Sequence, residues 1–176
     1  GPDDVVFVAG QDGVVSYIQG GQLADEPALD LSDVTEMAGE KGMLGIALHP
    51  DFAENGRVFV SYASSDTDSA TILAEYAMPD GIHADPASAR ELLRLPQESD
   101  YHKGGALVFG PNDGLLYMSL GDDAWPRGTT PDYNDGFRGS IIRIDVDSAT
   151  GDLPYGIPEG NAFASGEGPG DARPLG

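Results

Sequence analysis

Short runs of Val, Ile, Leu, Tyr and Phe recur along the chain, each closed by Gly, Pro, Asp or Asn. Apolar runs of that length between turn residues are the pattern of β-strands joined by tight turns. A run at 5–9 leads through Gln11-Asp12-Gly13 into a second at 14–18, an Asp-Gly hairpin, and another turn follows at Gly20-Gly21. Strands are expected again at 28–31, 45–48, 58–62, 72–77, 91–95, 106–109, 115–120 and 140–146. No segment keeps a 3.6-residue apolar period long enough for a crossover helix. Helix is therefore expected to be minor, and the chain reads as all-β: a sandwich, a barrel or a propeller.

A weak internal echo separates these. His49-Pro50-Asp51 ahead of Gly56-Arg57-Val58-Phe59-Val60-Ser61 is matched by Gly110-Pro111-Asn112 ahead of Gly114-Leu115-Leu116-Tyr117-Met118-Ser119. Both read as strand, proline turn, glycine, then an aromatic-bearing strand, and such repetition favours a β-propeller. At about four strands per blade the expected strands make about two to three blades, whereas closed propellers have roughly four to eight. Residues 1–146 are expected to hold the blades, and 147–176, rich in Gly, Pro, Ser and acid, to be a loop region.

Charge narrows the partners. Thirty acidic residues against nine basic ones give a formal charge of -21, which repels nucleic-acid phosphates and anionic lipid. Lys41 and Lys103 are the two lysines, and so Asp-rich a surface suits high salt, where screening relieves self-repulsion. No run approaches the roughly 20 apolar residues of a membrane span, and the first residues lack the pattern of a signal peptide. With no cysteine there are no disulfides and no thiolate metal sites. Neither G-x-S-x-G, H-E-x-x-H, a Walker loop nor a dinucleotide fingerprint occurs, which argues against the common hydrolases and nicotinamide enzymes.

Three blocks carry a resemblance. Gly39-Glu40-Lys41-Gly42-Met43-Leu44-Gly45-Ile46-Ala47-Leu48-His49-Pro50-Asp51-Phe52 is followed by an Asn-Gly strand at 55–60. Tyr101-His102-Lys103-Gly104-Gly105-Ala106-Leu107-Val108-Phe109-Gly110-Pro111 runs into Leu116-Tyr117-Met118-Ser119-Leu120-Gly121-Asp122. Gly139-Ser140-Ile141-Ile142-Arg143-Ile144-Asp145-Val146-Asp147 precedes Pro154-Tyr155-Gly156-Ile157-Pro158 and Asn161-Ala162-Phe163. In this order the blocks resemble the first half of the soluble quinoprotein sugar dehydrogenases of the glucose/sorbosone dehydrogenase family. The resemblance implies a six-bladed propeller holding pyrroloquinoline quinone with calcium, and oxidation of an aldose at C1.

His102 stands where that family has its catalytic base, and an imidazole titrates in the range a base needs. Gly104-Gly105 would let backbone approach a flat cofactor. The resemblance places Glu40 beside both quinone and sugar; its plain reading is a solvated turn residue. Asp122 is expected to order its loop, and Trp125 is a candidate sugar-stacking platform in a loop that departs from the family pattern. His49 is expected to order a blade corner and His83 to face solvent. Asp145, Asp147 and Asp152 are spaced somewhat like a calcium loop, but without its glycine and final glutamate they read as a strand end with a turn, so no metal ligand is assigned. The resemblance also implies that the calcium ligands and the cations for the quinone carboxylates lie outside this chain, because Lys103 and Arg127 sit among too much acid to replace them. Expected partners are a small sugar, an external electron acceptor, and a second copy or second chain covering the open sheet edges. The expected address, by resemblance, is periplasmic or extracellular. The competing expectation is a non-catalytic propeller module that binds carbohydrate or protein.

Overall fold

The computed structural model describes residues 4–123 and 137–162. β1 (Val5–Ala9) and β2 (Val14–Gln19) form the expected hairpin, and β3 (Gln22–Leu23) and β4 (Leu29–Asp30) pair with the other edge of β2 to complete a four-stranded sheet. β5 (Met43–Leu48), β6 (Arg57–Ala63), β7 (Ala70–Ala77) and β8 (Asp85–Pro96) form a second four-stranded sheet in chain order, antiparallel throughout. β9 (Gly104–Phe109), β10 (Leu116–Leu120) and β11 (Ile141–Ile144) form a third, three-stranded sheet. Every expected strand has its counterpart. The additions are β3 and α1 (Phe52–Asn55), a single helical turn between β5 and β6.

The internal echo proves to be a repeat of turns. Between the first and second strands of the three sheets stand Gly13, Gly56 and Gly114, with φ of 92°, 62° and 67°. A glycine is needed there because the left-handed backbone region penalises any Cβ. Each turn is closed by a comparable hydrogen bond: Gly10 N–H to Val14 O at 2.8 Å, His49 N–H to Arg57 O at 3.0 Å, and Gly110 N–H to Leu115 O at 2.9 Å.

The middle sheet explains its own unbroken apolar runs. Val58, Val60, Ile72 and Ala74 point into a core shared with the first sheet, and Phe59 and Leu73 into a core shared with the third. Side chains alternate between faces with period two, so a sheet buried on both faces must be apolar at nearly every position. The first strands of the second and third sheets, β5 and β9, pack side by side, and β1 also touches β5. Sheets stacked face to face with their first strands gathered on one side are blades of a β-propeller, as the sequence predicts.

The seam between the second and third blades continues past β11. Arg57 pairs with Glu75 at 2.8 Å and with Asp147, and donates to Val146 O at 2.8 Å. Asp145 and Gly156 form an isolated bridge that lays Tyr155 into the second core. The far faces of the end blades are open: Val6 on β1 is 57% exposed and Ile141 on β11 is 72% exposed.

Candidate functional site

The predicted site residues come together where β5 and β9 begin. Glu40 lies just before β5, His102 just before β9, and Asp122 just after β10. The His102 backbone N–H donates to Glu40 Oε2 at 2.6 Å, and His102 Nδ1 lies 2.8 Å from Asp122 Oδ1. A carboxylate can only accept, so the contact selects the neutral tautomer with its proton on Nδ1, in which Nε2 is the acceptor. Nε2 has no hydrogen-bond partner among the described residues, and the imidazole is 58% exposed beside an Asp122 side chain that is 33% exposed.

Tight backbone approaches make this meeting possible. A Cβ on Gly45 would collide with Gly105 O, and one on Gly105 with Leu44, so β5 and β9 touch through glycine. Leu44 sits at a register shift between Met43 and Gly45, a bulge of the kind that re-aims side chains beside functional sites. Ser61 Oγ donates to Gly105 O at 2.5 Å. His102 itself has φ of 60°, a left-handed conformation held by its surroundings.

Beneath the site the loop leading to His102 is tied down residue by residue. Asp123 accepts from Glu98 N–H at 3.1 Å and Ser99 N–H at 2.8 Å, and Glu40 N–H donates to Asp100 O at 2.7 Å. Gln97, fully buried, donates to Gly121 O at 3.0 Å and accepts from Thr71 Oγ1 at 2.5 Å. The two lysines are interior. Lys41, 3% exposed, pairs with Glu36 at 2.9 Å and Asp100 at 3.0 Å. Lys103, 0% exposed, donates to Gln97 O at 2.6 Å and Ser99 O at 3.2 Å.

Their titration follows from these partners. Burial pulls the Lys103 ammonium down to about 8; Asp123, Glu36 and Asp100 pull it up, and Lys41 pushes it further down. Burial also lowers Lys41, but Glu36 and Asp100 more than offset this, and its pKa stands above the ordinary value.

Sequence reasoning saw His102 and Glu40 through their motifs and gave Asp122 only a loop role. The structure adds the His102 pairing, which spans twenty residues of sequence, and gives neighbouring Asp123 the ties to the 98–99 backbone. Burial of both lysines had no sequence signal, since lysine is rarely interior. Trp125 and Arg127 lie outside the described residues. His49 is buried at the blade corner, as expected. His83 is partly exposed, pairs with Asp80 at 2.8 Å and meets the Tyr17 ring edge-on at 5.5 Å. Asp145 caps its own turn through Asp147 N–H and Ser148 Oγ, while Asp147 serves the Arg57 seam. No cluster of three or more potential metal ligands occurs among the described residues, nor does any helix there have the length and apolarity to cross a membrane.

A family model described as Glucose / Sorbosone dehydrogenase matches residues 1–172. Among characterised proteins, the chain is 31% identical to the mouse Hedgehog-interacting protein, over 89% of this chain and 24% of that one. It is 28% identical to the aldose sugar dehydrogenase YliI of Escherichia coli, over 93% of this chain and 46% of that one. Among solved structures it superposes on the apo form of the soluble aldose sugar dehydrogenase from Escherichia coli with a TM-score of 0.72 at 25% identity, covering 92% of this chain and 45% of that one. The PQQ-bound aldose sugar dehydrogenase from Streptomyces coelicolor gives a TM-score of 0.66 at 25% identity, with 92% and 45% covered. The chain thus spans less than half the length of each of these relatives.

Proposed function

The chain belongs to the glucose/sorbosone dehydrogenase family, and from that premise we propose that it serves as part of a quinoprotein oxidoreductase that oxidises an aldose at C1. The observation that carries this reading is the exposed His102 imidazole, fixed by Asp122 with Nε2 open. When bound, pyrroloquinoline quinone supplies the hydride-accepting centre. His102 Nε2 takes the proton of the C1 hydroxyl as the C1 hydrogen departs with its electron pair, leaving the lactone. Asp122 holds the tautomer and stabilises the imidazolium that forms, and Glu40, with one oxygen held by the His102 N–H, offers the other to a sugar hydroxyl. Trp125 is the proposed stacking platform.

The described residues fit the base end of such a quinone, with glycine backbone beside the histidine. They do not supply its carboxylate partners, because Lys41 and Lys103 are buried on acids and carbonyls. Those cations, the calcium and the onward electron acceptor are assigned to parts of the assembly beyond the described residues, and its address to the periplasm or the exterior. The test is dye reduction by the chain with an aldose, the quinone and calcium: quinone-dependent turnover abolished by His102→Asn supports the reading, and turnover indifferent to that change refutes it.

One observation favours a second reading. The 31% identity to a protein named for interacting with Hedgehog, together with the engaged lysines, fits a propeller module used for binding. That reading expects folding and ligand capture without quinone, unaffected by His102→Asn.

A further inference from the structure

We propose that Lys103 is a positioning residue for His102: its buried ammonium, bonded back onto the carbonyls of Gln97 and Ser99, closes the 97–103 loop and holds the imidazole against Asp122. The inference rests on the reading of His102 as the base and deepens it by naming what places that base and what releases it.

Three features of geometry carry it. The clamp is local, since Lys103 reaches back over the loop that ends in His102. It is also directed, because a second set of ties, from Asp123 to the Glu98 and Ser99 amides, Glu40 to Asp100 O, and Lys41 to the Asp100 carboxylate, grips the same segment from other elements. And it has something to hold: His102 is a non-glycine residue at φ 60°, and such conformations persist only where the surroundings over-determine them. Gly121 N–H donates to Lys103 O at 3.1 Å, so the clamp is continuous with the strand end that delivers Asp122. A buried cation is costly and makes a poor general stabiliser; one that bonds its own loop's carbonyls and abuts the base is placed for position.

The clamp is also titratable. The groups facing Lys103 are Asp123 after β10, Lys41 and Glu36 before β5, and Asp100 of its own loop, and with burial they leave its pKa at about 8. Losing the proton turns charge-assisted bonds into neutral ones roughly half as strong. His102 is therefore held less firmly above about pH 8, giving the site an alkaline limb distinct from titration of the imidazole.

The test uses the nitrogen-15 labelled chain, whose three histidines give few imidazole signals, with His102 assigned by its loss in His102→Asn. In the unsubstituted chain at neutral pH, His102 is expected as a single Nδ1–H tautomer, with a second inflection of its nitrogen shifts near pH 8. Lys103→Met should average the His102 nitrogens between tautomers while those of His49 and His83 stay in place. Lys103→Arg, charged at every accessible pH, should restore the tautomer and remove the inflection. Retention of the fixed tautomer in Lys103→Met overturns the proposal. Should that variant not fold, absence of the inflection in the unsubstituted chain overturns it instead. In dye reduction the loss should appear as roughly tenfold in kcat with KM for sugar little changed. Quinone-dependent turnover indifferent to His102→Asn defeats the reading of the base but leaves the imidazole spectra to decide the clamp; a full turnover with unmoved spectra in Lys103→Met defeats the clamp alone.

Discussion

His49 and His102 stand at opposite ends of the same architecture, one at the β5–β6 corner and one at the start of β9, and their surroundings differ in one decisive respect. His49 is buried, its Nδ1 accepts from Asp51 N–H at 3.1 Å and Asn55 Nδ2 at 2.8 Å, and its Nε2 faces Asp147 at 3.3 Å. Its ring also packs against those of Phe59 and Phe109, with centroids 6.4 Å and 5.4 Å away. Both nitrogens are occupied, so the ring works as a cross-brace between two blades. His102 has the same kind of carboxylate partner on one nitrogen and, among the described residues, none on the other. A histidine becomes a candidate base when its fold supplies one partner and withholds the second.

The sharpest way to break the comparison is to remove each ring in turn. His102→Asn should lower turnover by on the order of 1,000-fold, within the span of general-base contributions, with the thermal midpoint almost unmoved because the side chain is exposed. His49→Ala should do the reverse. It strands Asn55 Nδ2 and the Asp51 amide, leaves Asp147 to Arg57 alone and opens a cavity beside two phenyl rings, a loss of about 3 kcal/mol read from urea unfolding, while turnover per folded molecule holds. A smaller effect comes from Asp122→Asn. The amide can donate to Nδ1 and so invert the tautomer, costing roughly 10- to 100-fold in turnover with little change in unfolding midpoint. Equal losses of activity from the His49 and His102 changes would erase the distinction between brace and base.

The same contrast explains how much was legible in the sequence. The ten expected strands rest on apolar runs closed by Gly, Pro and Asx, and each is present because turn chemistry and period-two burial leave local traces. β3 has two residues and α1 four, too short for any periodicity and, for the helix, too short to stand without the turn that encloses it. The site was half legible. His102 and Glu40 carry their motifs, but the Asp122 partnership depends on β9 and β10 running antiparallel with a register shift near their site end, and no local signal states that. The lysines misled most. A Lys-poor, acid-rich chain reads as a solvated surface, whereas both of its lysines are interior and hold down the loops on which the site is built.

The last contrast is in pH. The Lys103 pKa, about 8 against an ordinary 10.5, means that between those values the unfolded chain binds more protons than the folded one, so stability rises with pH across that window. A difference of about 2.5 between folded and unfolded pKa bounds that rise at roughly 3 kcal/mol. Above about pH 10 the sign reverses: Tyr62, raised by burial to about 12, and Tyr76 and Tyr155, also raised, stay protonated in the fold but ionise once unfolded. Lys41, whose folded pKa is raised, begins to lose its stabilising charge in the same alkaline range. Urea midpoints taken from pH 7 to 11 should therefore pass through a maximum near pH 10, and Lys103→Met should flatten the rise. The His102 loop thus loosens over the very interval in which the whole fold gains stability. A midpoint that falls steadily from pH 7 would mean that Lys103 keeps its proton, and that base and brace then differ only in what lies against their second nitrogen.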